Sequence, residues 1–122
     1  MAKTIMIVDD SASIRQVVSI ALKGAGYEVL EASDGKQALA LCEQQKVHLV
    51  VCDVNMPVMD GITFVKELKA RPMSKFTPVI MLTTEAGDAK KQAGQQAGAK
   101  AWIVKPFQPA QLLDAVAKLS LP

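Results

Sequence analysis

Four short apolar segments of this chain each end directly before a polar residue, and this pattern strongly limits how the chain can fold. The segments are Ile5–Val8, Leu49–Cys52, Val79–Leu82 and Trp102–Val104. Continuous apolar runs of this length, rich in valine and isoleucine, are typical of strands buried on both faces, as in parallel sheets. The pattern therefore predicts a sheet that other elements cover on both sides.

Helical segments alternate with these strands. The first helix has an expected buried face of Ile14, Val17, Val18, Ala21 and Leu22. Further helices are predicted after Asp34, after Asp60 and from Pro109 onward, and another short strand is predicted over Tyr27–Ala32. Such alternation predicts an α/β fold: a single doubly wound, five-stranded parallel sheet, with helices on both faces and right-handed connections.

One predicted helix is weak. The segment Ala86–Ala99 offers only alanines for a buried face, and it carries Gly94 in its middle, which costs about 1 kcal/mol relative to alanine. We expect it to be the least firmly held element. It is either a poorly optimised surface helix or an element that moves, and the sequence leaves both interpretations open.

Length and charge exclude several classes of protein. We expect residues 1–122 to form one domain, and no apolar run approaches the roughly 20 residues of a membrane span. A soluble, unprocessed, cytoplasmic protein is expected. The two cysteines, Cys42 and Cys52, lack metal-site or redox spacing and are interpreted as small core residues. A net charge of +2 without a basic stripe argues against nucleic acid as a partner.

The polar residues that follow the apolar segments define a candidate site. They are Asp9, Asp10, Asp53, Thr83 and Lys105. Because the carboxyl ends of parallel strands lie along one edge of a sheet, these residues are expected to meet in one crevice, where open α/β sheets place their ligands. Carboxylates held close together repel one another, so we expect a hard cation among them, and Mg²⁺ is the best candidate.

Asp53 is suited to act as a nucleophile in this crevice. An aspartate is already ionised at neutral pH and attacks phosphorus without a general base. Phosphoryl transfer requires positioning and charge neutralisation, which Mg²⁺ and Lys105 would supply, while Thr83 would donate a hydrogen bond to a phosphoryl oxygen. The alternative interpretation is that each of these five residues is an ordinary polar residue at a strand end that caps the next helix. This is plausible for any one of them, but it explains all five together poorly.

Four sequence motifs make the chain resemble a known family. Val8–Ser11, Asp53–Pro57 with Met59–Gly61, Thr83–Glu85, and Lys105–Phe107 are similar to the motifs of the receiver domain of bacterial two-component response regulators. The resemblance covers nearly the whole chain and is strongest to the stand-alone chemotaxis regulators. It implies a flavodoxin-like fold with strand order 2-1-3-4-5 and a cis peptide bond between Lys105 and Pro106.

The resemblance also implies a magnesium site and a phosphorylation site. Asp53 would be the phospho-acceptor. Asp10, Asp53 and the backbone carbonyl of Asn55 would be direct ligands of Mg²⁺, and Asp9 would act through a water molecule. The domain would then be no enzyme in the usual sense, but a signalling protein that assists its own phosphorylation and dephosphorylation.

Further positions match residues that respond to the phosphoryl group in this family. Lys105 would pair with the phosphoryl group and Thr83 would move toward it. Asn55 and Glu85 match positions that influence dephosphorylation and the engagement of a phosphatase. Trp102 stands where the chemotaxis regulators usually carry a tyrosine that moves inward on activation. We hypothesise that Trp102 packs beside the weak helix and responds to phosphorylation; the alternative, a core tryptophan at the sheet edge without a switching role, stays open.

The resemblance implies partners as well. The phosphodonor would be a histidine kinase, which agrees with the absence of a nucleotide-binding loop from the sequence. No DNA-binding segment follows the last predicted helix, so we expect phosphorylation to act by changing the affinity for a partner, by resemblance the flagellar motor switch. We also expect a monomer. A stand-alone receiver of another pathway, acting as a phosphate sink or an adaptor, is the alternative. A haloacid-dehalogenase-like phosphatase is disfavoured, because Asn55 stands where that class needs a second aspartate.

Overall fold

The structure, a computed structural model, describes residues 3–54, 56, 58–83 and 88–119, and for residues 88–90 it describes the backbone only. The described elements alternate along the chain as follows: β1 Thr4–Val8, α1 Ala12–Gly24, β2 Glu28–Ala32, α2 Gly35–Gln44, β3 Leu49–Cys52, α3 Gly61–Lys69, β4 Val79–Thr83, α4 Asp88–Ala97, β5 Ala101–Val104 and α5 Pro109–Leu119. All four strand pairs are parallel, and the strand order is β2-β1-β3-β4-β5. The predicted fold and strand order are confirmed.

The register of the sheet aligns the end of β1 with that of β3 and the end of β4 with that of β5, and β4 extends two residues beyond β3, since Cys52 pairs with Met81. Val8, the last residue of β1, pairs with Cys52, the last residue of β3, and Thr83 at the end of β4 pairs with Val104 of β5. The residues that follow these strands therefore lie side by side at the carboxyl edge. This alignment is what positions the candidate site.

Two hydrophobic cores cover the two faces of the sheet. On one face, Phe64 and Leu68 of α3 pack with strand residues such as Met81, together with part of α2. On the other face, α1 and α5 pack against the alternate strand residues, among them Ile80 and Val51. Because neighbouring residues of a strand point to opposite faces, a strand that lies between two cores is apolar throughout. The central strand β3 is buried along its whole length.

Side-chain caps start three of the helices where the sequence predicts a boundary. Ser11, Asp34 and Asp60 each accept a hydrogen bond from a backbone N–H three residues later, at 3.3, 2.8 and 2.9 Å. A cap of this kind contributes about 1 kcal/mol to helix stability.

Some of the sequence predictions of burial need correction. Val17 was predicted to face the core, but it is 50% exposed, because α1 contacts the sheet mainly through Val18 and Leu22. Phe64, fully buried on α3, was missed. Cys42 and Cys52 are free and buried, as predicted. The peptide bond between Lys105 and Pro106 is cis, also as predicted. Within the described residues, no helix combines the length and the apolar character needed to cross a bilayer.

Candidate functional site

Three aspartates converge at the carboxyl edge of β1 and β3. Asp9 and Asp53 are buried, with 2% and 8% of their surface exposed, whereas Asp10 is exposed. Carboxylate oxygens of the three residues all lie within 4.8 Å of one another. The predicted convergence of these side chains is confirmed. Oxygen donors grouped in this way match the preference of Mg²⁺ and Ca²⁺, so the donor set fits a hard divalent cation.

Lys105 reaches this cluster from the end of β5. Its Nζ lies 2.9 Å from Oδ2 of Asp9 and 3.9 Å from Oδ2 of Asp53. Its backbone N–H donates to the carbonyl oxygen of Thr83 at 2.8 Å, which ties the loop after β5 to the end of β4. Only 12% of the lysine side chain is exposed, so its charge acts on the aspartates with little screening by water.

Hydrogen bonds orient the two buried aspartates. Oδ1 of Asp53 accepts the backbone N–H of Val54 at 2.8 Å, and the side chain of Thr83 also forms a hydrogen bond with Asp53. Oδ1 of Asp9 accepts the backbone N–H of Ser11 at 2.9 Å. Each carboxylate thus keeps its Oδ2 directed toward Lys105. All five residues predicted from the strand ends therefore belong to one site.

The electrostatic environment of Asp53 disfavours its charged form. Burial raises the pKa of Asp53, and the negative charge of Asp9 raises this pKa further. Lys105 and the hydrogen bonds from Thr83 and the Val54 N–H lower the pKa, but they do not cancel the effect of burial. Lys105 therefore does not fully offset the burial of the Asp53 carboxylate, and a cation bound beside it would favour the charged form of Asp53.

Two residues that hold the site together were not identified from the sequence as site residues. A Cβ atom on Gly61 would collide with the backbone carbonyl of Asp53, and the Gly61 N–H donates to the carbonyl oxygen of Val54 at 2.8 Å. Nη1 of Arg15 donates to the carbonyl oxygen of Asp9 at 2.6 Å. The Asp60-Gly61 pair is a turn signal that hints at a close approach, whereas nothing local in the sequence indicates the contact of Arg15.

Trp102 lies beside α4, as hypothesised. It packs half-buried against the core on the α3 side of the sheet. A Cβ atom on Gly94 of α4 would lie 2.7 Å from Cζ3 and 3.2 Å from Cε3 of its ring. The packing of Trp102 next to the weak helix is confirmed, and its movement on phosphorylation stays a prediction. Asn55 and Glu85, the positions predicted to tune dephosphorylation, lie outside the described residues.

Comparisons with known proteins agree with this geometry. The sequence profile described as "Response regulator receiver domain" matches residues 5–117. The chemotaxis protein CheY of Thermotoga maritima is 38% identical over 122 residues, which cover 98% of the chain and 99% of that protein. The structure of Vibrio cholerae chemotaxis protein CheY4 superposes with a TM-score of 0.93 at 47% identity, covering 98% of this chain and 99% of the other.

Other similar proteins differ in length or in bound ligand. The chain spans about half the length of several curated relatives, transcriptional regulators that are 38 to 40% identical and of which it covers 41 to 49%. The receiver domain of a sensor histidine kinase from Pseudomonas aeruginosa PAO1 has a TM-score of 0.91 at 28% identity, covering 98% of each chain, and its structure holds a magnesium ion in the active site cleft.

Proposed function

The chain belongs to the response regulator receiver domain family, and we propose that residues 1–122 form one receiver domain that takes a phosphoryl group on Asp53 with Mg²⁺ as cofactor. The observation that carries this proposal is the buried carboxylate of Asp53 at the end of the central strand, with the oxygens of Asp9 and Asp10 within 4.8 Å and Lys105 Nζ at 3.9 Å. The proposed nucleophile, Asp53, therefore lies next to both a candidate cation site and the positive charge of Lys105.

Asp9, Asp10 and Asp53 would hold the cation, together with the backbone carbonyl of Asn55. When bound, Mg²⁺ supplies charge neutralisation for the phosphoryl oxygens and the carboxylates. Burial raises the pKa of Asp53, and a cation held beside its carboxylate would lower this pKa and so favour the ionised form that acts as the nucleophile. The magnesium in the cleft of the Pseudomonas aeruginosa receiver domain supports it independently.

The reaction we propose is the transfer of a phosphoryl group from a phosphohistidine. An oxygen of Asp53 attacks phosphorus, an O–P bond forms, the N–P bond breaks, and the imidazole nitrogen keeps the electron pair. Oδ2 is suited to attack, since it faces Lys105, whereas Oδ1 accepts the Val54 N–H. Lys105 stabilises the charge on the transferred group, and Thr83 donates a hydrogen bond to it.

Phosphorylation then changes the affinity of the domain for a partner. The new group adds about −1.5 to −2 charge next to Thr83 and Lys105, and such a local event needs a two-state element to reach the surface. We propose that Thr83 and Trp102 form this element together with α4. Hydrolysis resets the domain, and we assign Asn55 and Glu85 to tuning its rate and to engaging a phosphatase. Histidine kinase, domain and phosphatase would all act in the cytoplasm.

The flagellar motor switch is the output partner that we propose. The similarity to two chemotaxis proteins over nearly their full length supports this assignment. The similarity to transcriptional regulators supports only the more general role of a two-component response regulator. The alternative to the motor switch assignment is a receiver of another pathway, acting as a phosphate sink or an adaptor.

Intact-mass analysis tests the phosphorylation site directly. The protein is incubated with acetyl phosphate and Mg²⁺, and Asp53→Asn serves as the control. We expect one added phosphoryl group on the wild-type protein only, released by hydroxylamine as an acyl phosphate, and no addition when Mg²⁺ is chelated. Equal labelling of both proteins, or a hydroxylamine-resistant group, would refute the assignment.

Binding to purified motor switch protein separates chemotaxis from its alternative. Beryllofluoride with Mg²⁺ mimics the phosphoryl group on Asp53, and Asp53→Asn cannot bind it productively. Tighter binding of the wild-type protein with beryllofluoride supports the motor assignment. Binding that beryllofluoride leaves unchanged, or no binding at all, favours a receiver of another pathway.

A further inference from the structure

A cavity lies at the amino edge of the sheet, the edge opposite to Asp53. We call it the amino-edge cavity. It has a volume of about 220 Å³ and is lined by Cys42, Gln45, Lys46, Val47, Met73, Ser74 and Thr77. These residues come from the end of α2, the connection to β3 and the loop between α3 and β4. Val47 lies six residues before Asp53 in the chain, or roughly 20 Å along an extended strand. A ligand in the cavity thus leaves the phosphorylation site accessible.

The interior of the amino-edge cavity is suited to an apolar group. Cys42 and Val47 are each 6% exposed, and burial raises the pKa of the Cys42 thiol to about 11, which keeps it neutral. The hydroxyl of Ser74 donates to the carbonyl oxygen of Leu68 at 2.7 Å. In the part of the chain that the structure describes, no buried side-chain nitrogen or oxygen lacks a hydrogen-bond partner. A polar ligand would therefore find few groups to bind inside the cavity.

The size of the cavity matches one side chain. Ligand pockets commonly occupy roughly 300–1,000 Å³, which exceeds this cavity, whereas an apolar cavity of about 150 Å³ holds a benzene ring. A volume of about 220 Å³ therefore accommodates one phenylalanine or leucine side chain. The loop beside it also exposes apolar surface: Met73 is 71% exposed and Phe76 is 87% exposed. Exposed methionine and aromatic side chains of this kind are common at protein interaction surfaces.

The rim of the cavity is positively charged. Lys46 is the charged residue among those that line it. Lys75 belongs to the same loop, between the lining residues Ser74 and Thr77, and its ammonium lies 5.5 Å from the centre of the exposed Phe76 ring. Glu43, an acidic residue near the end of α2, is paired with Arg71 of the α3–β4 loop and so contributes little negative potential. The charge around the opening therefore complements carboxylates.

We propose that the amino-edge cavity is a docking site for an acidic segment of a partner protein, which inserts one bulky apolar side chain into it. Apolar burial in the cavity supplies binding energy, and Lys46 and Lys75 select a partner with carboxylates beside the inserted residue. The site is independent of Asp53 phosphorylation, so it holds the domain near a partner in both signalling states.

Short synthetic peptides test this proposal by NMR titration of the full chain. Each peptide is rich in glutamate and aspartate and carries one central phenylalanine, leucine or alanine. We expect the phenylalanine and leucine peptides to shift the amide signals of Cys42, Val47, Ser74 and Thr77, and the alanine peptide to bind much more weakly. Signals shifted mainly around Asp53, or equal affinity for the alanine peptide, would overturn the proposal.

Charge-reversal variants provide the matched control. Lys46→Glu is expected to weaken binding of the phenylalanine peptide about fivefold or more, whereas Lys36→Glu, an exposed lysine at the opposite end of α2, leaves it unchanged. An unchanged affinity in Lys46→Glu would refute the role of the rim charge. Tighter binding of the chain to phosphatidylserine vesicles than to the phenylalanine peptide would refute a protein segment as the occupant.

Beryllofluoride with Mg²⁺ separates this proposal from the proposed function. The affinity of the phenylalanine peptide is expected to stay the same with and without beryllofluoride, and in Asp53→Asn. A large change on adding beryllofluoride would contradict the independence of the two sites. Failure of Asp53 to accept a phosphoryl group would leave the peptide result unaffected.

Discussion

Replacing Gly94 with alanine should destabilise the protein, although the same change in most helices is stabilising. Gly94 lies inside α4, where alanine gains about 1 kcal/mol over glycine from backbone entropy. A Cβ atom here would lie 2.7 Å from Cζ3 of Trp102. Carbon atoms in favourable contact are about 3.5–4.0 Å apart, so the ring or the helix must move by about 1 Å.

The expected change in stability follows from these two opposing effects. Overpacking of this kind costs about 1–3 kcal/mol, which offsets or exceeds the helix-propensity gain. We therefore expect Gly94→Ala to lower the free energy of unfolding by about 0–2 kcal/mol. Gly24→Ala is the control, because a Cβ atom there has no neighbour within 4 Å. It should raise the stability by about 0.4–1 kcal/mol.

Urea unfolding followed by far-ultraviolet circular dichroism measures both variants, and tryptophan emission reports the ring. As the only tryptophan, Trp102 should shift its emission to longer wavelength in Gly94→Ala if the ring swings toward solvent. In a Trp102→Leu background the collision is removed, so Gly94→Ala should become stabilising there. If Gly94→Ala stabilises the wild-type chain as much as Gly24→Ala does, with unchanged emission, the ring does not occupy the space above Gly94.

The remaining predictions concern the carboxyl edge. Because burial raises the pKa of Asp53, its contribution to stability is present when the carboxyl is protonated and is lost as the pH rises through the raised pKa. Asp53→Asn should therefore have a higher urea midpoint than the wild-type protein at pH 7 without Mg²⁺. Equal midpoints of the two proteins at both pH 7 and pH 3 would contradict this. Lys105→Met should lower the yield of phosphorylated protein from acetyl phosphate about tenfold or more while Mg²⁺ binding, measured by calorimetry, persists; an undiminished yield would exclude its role. Gly61→Ala should lower the free energy of unfolding by about 3 kcal/mol, because the added Cβ would collide with backbone atoms of Asp53, which cannot move aside as a side chain can. A smaller decrease than that of Gly94→Ala in the same urea assay would contradict this collision.

The fold was predictable from the sequence because each strand carries its own signal. β3 and β4 are continuous apolar runs, and such runs have few alternatives to a sheet buried on both faces. The strand order follows only from the family resemblance, because apolar runs of similar composition do not specify their neighbours. Burial on helices was less predictable: Val17 fits the periodic pattern, yet it lies outside the face of α1 that contacts the sheet through Val18 and Leu22.

The site was predictable only where its residues follow strands. Asp9, Asp53, Thr83 and Lys105 occupy strand ends, so parallel geometry alone brings them together. Arg15 comes from the side of α1, and its contact with the Asp9 carbonyl depends on how the helix packs. Contacts of this second kind depend on crossing geometry, which no short sequence pattern encodes.

Gly94 shows how a single position links local propensity to the proposed switch. Considered alone, a glycine inside α4 indicates a helix of low intrinsic stability. In the structure, the missing side chain makes room for the ring of Trp102, which pairs with Met81 two residues before Thr83. A bulkier residue at position 94 would strengthen the helix but exclude the ring in its present position. The low helix propensity at Gly94 therefore allows α4 to pack closely against Trp102 and Met81 of β4, which is the arrangement that the proposed switch requires.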